Sequence, residues 1–136
     1  MLVYTVQQQW RSIVSTRLEG YVAKGWGSEF IFATNDKYCG KLMKFNTGAR
    51  FSMHFHVEKD ETWYVISGEF IVRWIDTNNA EQHESILKPG DTWHNKTFLP
   101  HQLICIDAGT IIEVSTPDSV EDNYRVQPGD SQKSNS

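Results

Sequence analysis

From Ser28 onward the chain is divided into about nine short runs rich in β-branched and aromatic residues, separated by clusters of turn-forming residues. Asn46-Thr47-Gly48 and Asp76-Thr77-Asn78-Asn79 are two such clusters, and Ser67-Gly68 predicts a tight turn between two of the runs. Short strands at this spacing predict an all-β fold, either a sandwich or a barrel. The predicted strands are residues 29–32, 40–45, 50–56, 61–66, 70–75, 84–87, 92–95, 102–106 and 110–115.

Two segments flank this pattern. Apolar residues fall at helical intervals within residues 5–19, so we expect residues 1–24 to form an N-terminal arm or a short helix. Residues 127–136 are polar and have no apolar anchor, which predicts a disordered tail. The barrel is therefore predicted over residues 25–126, and a chain of 136 residues holds one domain.

The charge of the chain limits its partners. Lys and Arg total 13 against 17 Asp and Glu, giving a net charge of −4, and the basic residues are scattered, which argues against nucleic-acid binding. The first residues lack the features of a secretory signal, and no apolar run is long enough to span a membrane, so we expect a cytoplasmic protein. Cys39 and Cys105 are then expected to be free thiols.

Four residues carry the strongest chemical signal. His54 and His56 are separated by one residue, so in a strand their side chains leave the same face about 7 Å apart. Glu61 begins the next predicted strand after a short link, which places it across from the histidine pair. His101 follows the turn-forming Pro100 and begins another apolar run. We predict that His54, His56, Glu61 and His101 bind one metal ion.

These residues and the turns around them resemble the cupin superfamily. Its first motif, G-x5-H-x-H-x3,4-E-x6-G, is matched by Gly48, His54, His56, Glu61 and Gly68, and its second motif by Pro89, Gly90, Asp91 and His101. The resemblance implies a double-stranded β-helix, the jelly-roll barrel of cupins, here with a short N-terminal helix or arm. Cys105 stands where the second motif often has asparagine, which could alter the pocket floor, since residues 101, 103 and 105 share a strand face.

A second resemblance is to the cupin domain of mannose-6-phosphate isomerases. It is carried by residues 25–29, 59–63, 113–116 and 121–125, which are similar to the P-W-G, R-x-E-H-W, E-V-Q-T and E-D-D-x-x-R motifs of those enzymes. Gly25 replaces the usual proline, and His54 stands where many of them have glutamine. The resemblance implies a metal-dependent isomerase of a sugar or sugar phosphate.

Three imidazoles and a carboxylate suit divalent Mn, Fe, Zn, Ni or Co, and a six-coordinate ion would keep two open positions. Such an ion can polarise a sugar carbonyl and ease proton removal through an enediolate. His94 and Glu58 are the candidates for the catalytic base. For each of them the competing interpretation is a solvent-exposed residue with no chemical role.

The predicted substrate-binding residues are mostly basic, since Lys and Arg can hold a phosphate or carboxylate group. Solubilising surface positions are the competing interpretation for them, and a core position for the tryptophan. The candidates are Lys41, Lys44, Arg50, Arg73, Arg125 and Trp63.

Other functions stay open. An Fe(II)-dependent dioxygenase uses the same ligand types, and a non-catalytic small-molecule-binding cupin would need no base. Exposed edge strands favour a homodimer, because a partner can cover them.

Overall fold

The computed structural model describes residues 20–133, which form nine strands and one short 3-10 helix. The strands are β1 (Tyr21–Lys24), β2 (Gly27–Thr34), β3 (Cys39–Phe45), β4 (Met53–Phe55), β5 (Glu61–Ile75), β6 (Gln82–Leu87), β7 (Thr92–Asn95), β8 (His101–Ser115) and β9 (Tyr124–Gln127). The 3-10 helix spans Asp130–Gln132. The all-β prediction is confirmed, whereas the helix predicted within residues 5–19 lies outside the described residues.

All strand pairs are antiparallel, and the sheet curls on itself as a jelly-roll barrel. One path runs β1-β2-β3-β8-β4-β9, and β8 also pairs with β5, which in turn pairs with β6 and β7. Strand β8 is therefore shared by both parts of the curled sheet. Its first residue, His101, lies opposite His54 of β4. The topology therefore places the predicted ligand of the second motif beside those of the first motif.

The two longest strands differ from the prediction. Residues 61–66 and 70–75 were expected as separate strands joined by a turn at Ser67-Gly68, but they form the continuous strand β5. Residues 102–106 and 110–115 likewise belong to β8. The turn prediction is wrong because β5 and β8 pair with each other along their length. The pairing continues past Gly68 and Gly109 with shifts in register instead of ending in a turn.

The ends of the barrel also extend beyond the predicted bounds. Strand β1 begins at Tyr21, inside the predicted arm, and pairs with β2. Near the other end, the Arg50 N–H donates to the Asp130 carboxylate at 2.9 Å, and the Asp130 N–H donates to the Arg50 carbonyl at 3.0 Å. This reciprocal pair fixes residues 130–132 against the barrel, within the predicted tail.

The apolar core fills one part of the barrel. Trp26 stacks on Phe45 with ring centroids 4.4 Å apart, and Phe51 contacts both rings. Cys105 packs in this core and does not line the cavity. Both cysteines, Cys39 and Cys105, are buried free thiols, as predicted. No helix within residues 20–133 has the length and hydropathy needed to cross a bilayer.

Candidate metal centre

Three histidines converge at one end of the barrel. His54 lies in β4 and His56 directly after it, so the two side chains share a face, and His101 at the start of β8 lies opposite His54. One ring nitrogen from each residue lies within 4.8 Å of the other two. This spacing allows all three imidazoles to bind a single ion.

Hydrogen bonds at the far side of two rings fix their orientation. The Nδ1–H of His56 donates to the carbonyl of Asp122 at 2.6 Å, and the Nδ1–H of His101 donates to the carbonyl of Leu99 at 2.8 Å. Because a carbonyl only accepts, Nδ1 of each ring carries a proton, and in the neutral ring Nε2 keeps the lone pair that binds a metal. The Nε2 of His56 is buried and has no hydrogen-bond partner within residues 20–133, and the Nε2 of His101 is buried and faces the Glu61 carboxylate.

The third imidazole is held by a hydroxyl group, since His54 Nδ1 lies 2.9 Å from Ser52 Oγ. Burial, reinforced by the neighbouring histidines, lowers the pKa of His54 well below its ordinary value. Burial also lowers the pKa of His56, although Glu61 opposes the change. Both rings are therefore neutral at pH 7, the form that binds metals.

Glu61 completes the predicted set of four. Its Oε1 lies 2.8 Å from His101 Nε2, and its Oε2 lies 3.8 Å from His56 Nε2. Burial opposes ionisation, but His101 and then Lys59 outweigh it and hold the pKa of the Glu61 carboxyl well below its ordinary value. Three imidazoles and one carboxylate form a donor set that suits a divalent transition metal, without selecting one metal.

A buried charged network adjoins these residues. Lys59, only 4% exposed, lies 3.2 Å from Glu61 Oε2, 3.0 Å from Glu113 Oε2 and 3.1 Å from Asp118 Oδ1. Lys41 lies 2.8 Å from both Glu29 Oε1 and Asp118 Oδ2. The two ammonium groups are thus joined through Asp118.

Glu113 is the protonated member of the network at neutral pH. Burial, followed by the charge of Glu61, raises the pKa of Glu113 to about 8 although Lys59 and Lys41 oppose the change. A divalent cation at the histidines would give the buried Glu61 carboxylate a second positive partner besides Lys59.

A cavity of about 390 Å³ opens onto His54, His56 and the charged network. Its polar wall includes His54, His56, Glu61, Lys59 and Glu113, and its apolar wall includes Trp26, Met43 and Phe51. The volume lies in the range of small-molecule sites. The arrangement can therefore hold an ion and a small polar molecule side by side.

The structure brings some predicted site residues to this cavity. The three histidines form one cluster, Glu61 lies 2.8 Å from His101, and the cavity is lined by His54, His56, Glu61, Lys41 and Arg125. Trp63 is 1% exposed and belongs to the core, and it reaches the network by donating from Nε1 to Glu113 Oε1 at 3.1 Å.

The other predicted residues do not line the cavity. His94 is exposed on β7 and its Nε2 lies 2.6 Å from Asp60 Oδ1. Arg73 pairs with Glu84 on the neighbouring strand β6 at 2.8 Å. Glu58, Lys44 and Arg50 are exposed.

Sequence reasoning missed Lys59, Glu113 and Asp118. Glu113 had a local signal, because it lies between Ile111 and Ser115 on the inward face of β8, where a charged residue is unusual. Lys59 had none, since it lies in a charged stretch that was expected to be a solvated loop. The Asp122 carboxylate accepts the Lys59 N–H at 2.9 Å and holds this link against the barrel.

The fold and site define a jelly-roll barrel with a candidate metal centre in its cavity. A family model described as the cupin domain matches residues 41–115, more than half of the chain. The chain belongs to the cupin family.

A mannose-1-phosphate guanylyltransferase from Salmonella muenchen is 30% identical over 95 residues, which is 67% of this chain and 20% of that protein. The chain thus spans about a fifth of the length of this curated relative.

Solved structures share the fold at lower identity. An RmlC-like cupin from Shewanella frigidimarina superposes with a TM-score of 0.60 at 21% identity, covering 69% of this chain and 78% of that one. Oxalate decarboxylase from Bacillus subtilis, in a structure described for its Mn(II) centres, has a TM-score of 0.69 at 17% identity and covers 78% of this chain and 30% of that chain.

Proposed function

We propose that the protein is a divalent-metal-dependent enzyme that interconverts the aldose and ketose forms of a sugar or sugar phosphate. The observation that carries this proposal is the convergence of His54, His56, His101 and Glu61 beside a cavity that is large enough for a small polar molecule. The similarity to a protein named mannose-1-phosphate guanylyltransferase supports a phosphorylated sugar as the substrate.

The proposed chemistry divides between the ion and the cavity wall. An ion held by the four residues would act as a Lewis acid on the carbonyl and hydroxyl oxygens of the sugar. Glu113 is the carboxyl group of the wall that we assign to proton exchange with the substrate, in place of His94 and Glu58, which lie outside the cavity lining. Trp63 and Lys59 each hold one of its oxygens and so fix its position.

Elemental analysis of the purified protein, followed by a turnover assay with the metal it reports, tests the proposal. Interconversion of mannose 6-phosphate and fructose 6-phosphate, followed by NMR, is the expected activity, and the His101→Ala variant should lack it. Oxygen consumption by an iron-loaded protein would identify a dioxygenase instead. Ligand binding with no turnover under any divalent metal would identify a non-catalytic binding protein.

We also propose a homodimer that forms through the outer face of the sheet. Val114 of β8 and Tyr64 of the adjacent strand β5 are 53% and 46% exposed, and Phe32 of β2, which β3 separates from β8, is 52% exposed. A second copy would bury this apolar surface symmetrically. Light scattering should give the mass of a dimer for the native chain and of a monomer for Tyr64→Glu, and a monomeric native chain would contradict the proposal.

A further inference from the structure

The cavity contains two ammonium groups that share one carboxylate. Lys41 and Lys59 both line the cavity, and Asp118 places Oδ2 at 2.8 Å from the first and Oδ1 at 3.1 Å from the second. The lysine side chains are 8% and 4% exposed, whereas that of Asp118 is 31% exposed. Asp118 is thus the partner that reaches the lysines from the solvent side.

Each lysine has a second, more deeply buried partner. Without Asp118, Lys41 would keep Glu29 at 2.8 Å, and Lys59 would keep the ionised Glu61 at 3.2 Å. If the Asp118 side chain moved away, both ammonium groups would therefore still have a carboxylate partner. The loss of a buried ion pair is costly when it leaves a charge unpaired, and that does not happen here.

The segment that carries Asp118 can move without unpairing a strand. Thr116 and Asp122 tie its two ends to the link before β5, the former through its N–H to the Asp60 carbonyl at 3.0 Å. Residues 117–121 lie between these two ties. Within the part of the chain that the structure describes, Asp118 alone joins them to the rest of the barrel by hydrogen bonds or ion pairs, through its contacts with the two lysines. Val120 in the same segment is 90% exposed.

We propose that Lys41 and Lys59 form a binding subsite for an oxyanion, a phosphate or carboxylate group of the substrate, and that Asp118 occupies this subsite until the substrate displaces it. A bridging carboxylate has the charge and the oxygen donors of the anionic group that it stands in for. This inference rests on the proposed function, because it assigns the charged end of that substrate.

The subsite is correctly placed to serve the metal centre. Lys59 Nζ lies 3.2 Å from Glu61 Oε2, and the same oxygen lies 3.8 Å from His56 Nε2. The subsite therefore adjoins the candidate ligand Glu61, whose carboxylate lies between Lys59 and the histidines. A small molecule could hold its anionic group at the lysines while its carbonyl and hydroxyl oxygens face the histidines.

Calorimetric titration of Asp118→Ala with inorganic phosphate, and separately with malonate, tests the inference. Glu121→Ala is the matched control, because it removes the same charge from the same segment, where Glu121 accepts only from Ser119 within that segment. We expect Asp118→Ala to bind at least one of the two anions about tenfold more tightly than the native chain, since a competing anion has been removed. The control should bind like the native chain.

The location of the anion gives an independent readout. Crystals of Asp118→Ala are grown with the anion that binds. The oxygens of this anion should lie within hydrogen-bonding distance of both Lys41 and Lys59. Equal affinity in all three proteins, or an anion bound at the histidines alone, would overturn the inference. Metal content is measured in each protein, so an unchanged metal content with no gain in affinity rejects the subsite and leaves the metal centre standing.

Discussion

Gly68 of β5 and Gly109 of β8 pack backbone against backbone. A Cβ atom added to Gly109 would lie 2.5 Å from the Cα of Gly68 and 2.1 Å from the carbonyl oxygen of Ser67. Gly68 also has a φ of +85°, which favours glycine. This contact lets the two longest strands stay paired through the shifts in register that bend them around the barrel.

Replacing Gly109 by alanine should therefore destabilise the barrel by about 2–3 kcal/mol or more, because rigid backbone atoms cannot make room for the methyl group. Gly90→Ala is the control. Gly90 has a φ of +94°, but an added Cβ has no neighbour within 4 Å, so only backbone strain of about 1–2 kcal/mol applies. Urea unfolding measures both, and equal losses would argue against a packing role for Gly109.

The same glycines show where sequence reasoning about the fold stops. Local patterns predicted the strand segments, because alternation and β-branched residues are properties of neighbouring residues. They also predicted a turn at Ser67-Gly68, because glycine has the same local signature in a turn and in a bulge. Only the pairing of β5 with β8, two strands that are distant in sequence, distinguishes a bulge from a turn at this position.

His56→Ala and His101→Ala should each abolish metal retention while the barrel stays folded. Each substitution removes a buried Nε2 from the candidate ligand set, and the remaining ligands then form an incomplete set. The control is His94→Ala, whose exposed ring contacts Asp60 outside the cavity lining. Elemental analysis and circular dichroism of the purified variants provide the readouts. Full metal content in either ligand variant would remove the proposed site.

Ser52→Ala should weaken metal affinity by about tenfold without removing a ligand, because the Ser52 hydroxyl orients His54 through Nδ1. Competition with a chelating dye measures the affinity. Ser67→Ala is the matched control, since the Ser67 hydroxyl accepts the Thr110 N–H far from the histidines. Unchanged affinity in Ser52→Ala would mean that packing alone orients the ring.

Lys59→Met should cost about 3–5 kcal/mol of the free energy of unfolding, because it leaves the buried Glu61 carboxylate without its ammonium partner and Glu113 without a hydrogen-bond donor. Lys37→Met is the control on an exposed residue and should be nearly neutral. Denaturant titration compares the two variants at matched metal content. A neutral Lys59→Met would show that the ion pairs of this network add no net stability.

The pH dependence of stability should change in Asp118→Asn. Burial opposes ionisation of Asp118, but Lys59 and Lys41 outweigh it and lower the pKa of its carboxyl from 3.8 to about 2. The ion pairs therefore stabilise the folded state above about pH 4, and this contribution is lost as the pH falls towards 2.

Between about pH 5 and pH 2 the native chain should thus lose more stability than Asp118→Asn. Urea unfolding at steps across this range measures the difference. Glu121→Gln should follow the native chain, since Glu121 has no contact with the lysines. Parallel curves for the native chain and Asp118→Asn would contradict the proposed pairing.

The site was predictable only in part. The spacing of His54, His56 and Glu61 is local, so the sequence alone identified them, and the turn at Pro100 identified His101. The charged network was not predictable, because residues distant in the chain hold Lys59 inward: Asp122, 63 residues away, accepts its N–H, and Glu113 and Asp118 pair with its ammonium group. His94 illustrates the opposite error, since a histidine at a strand position has no local signal that separates the outside of the barrel from the inside.

Strand β4 is three residues long and meets β8 at a single residue pair, His54 and His101. An ion held by His54, His101 and Glu61 would therefore link β4, β8 and β5 at a point where the backbone ladder between β4 and β8 has a single pair. The metal would then add stability to the barrel in proportion to its free concentration, so that the unfolding temperature rises with added metal.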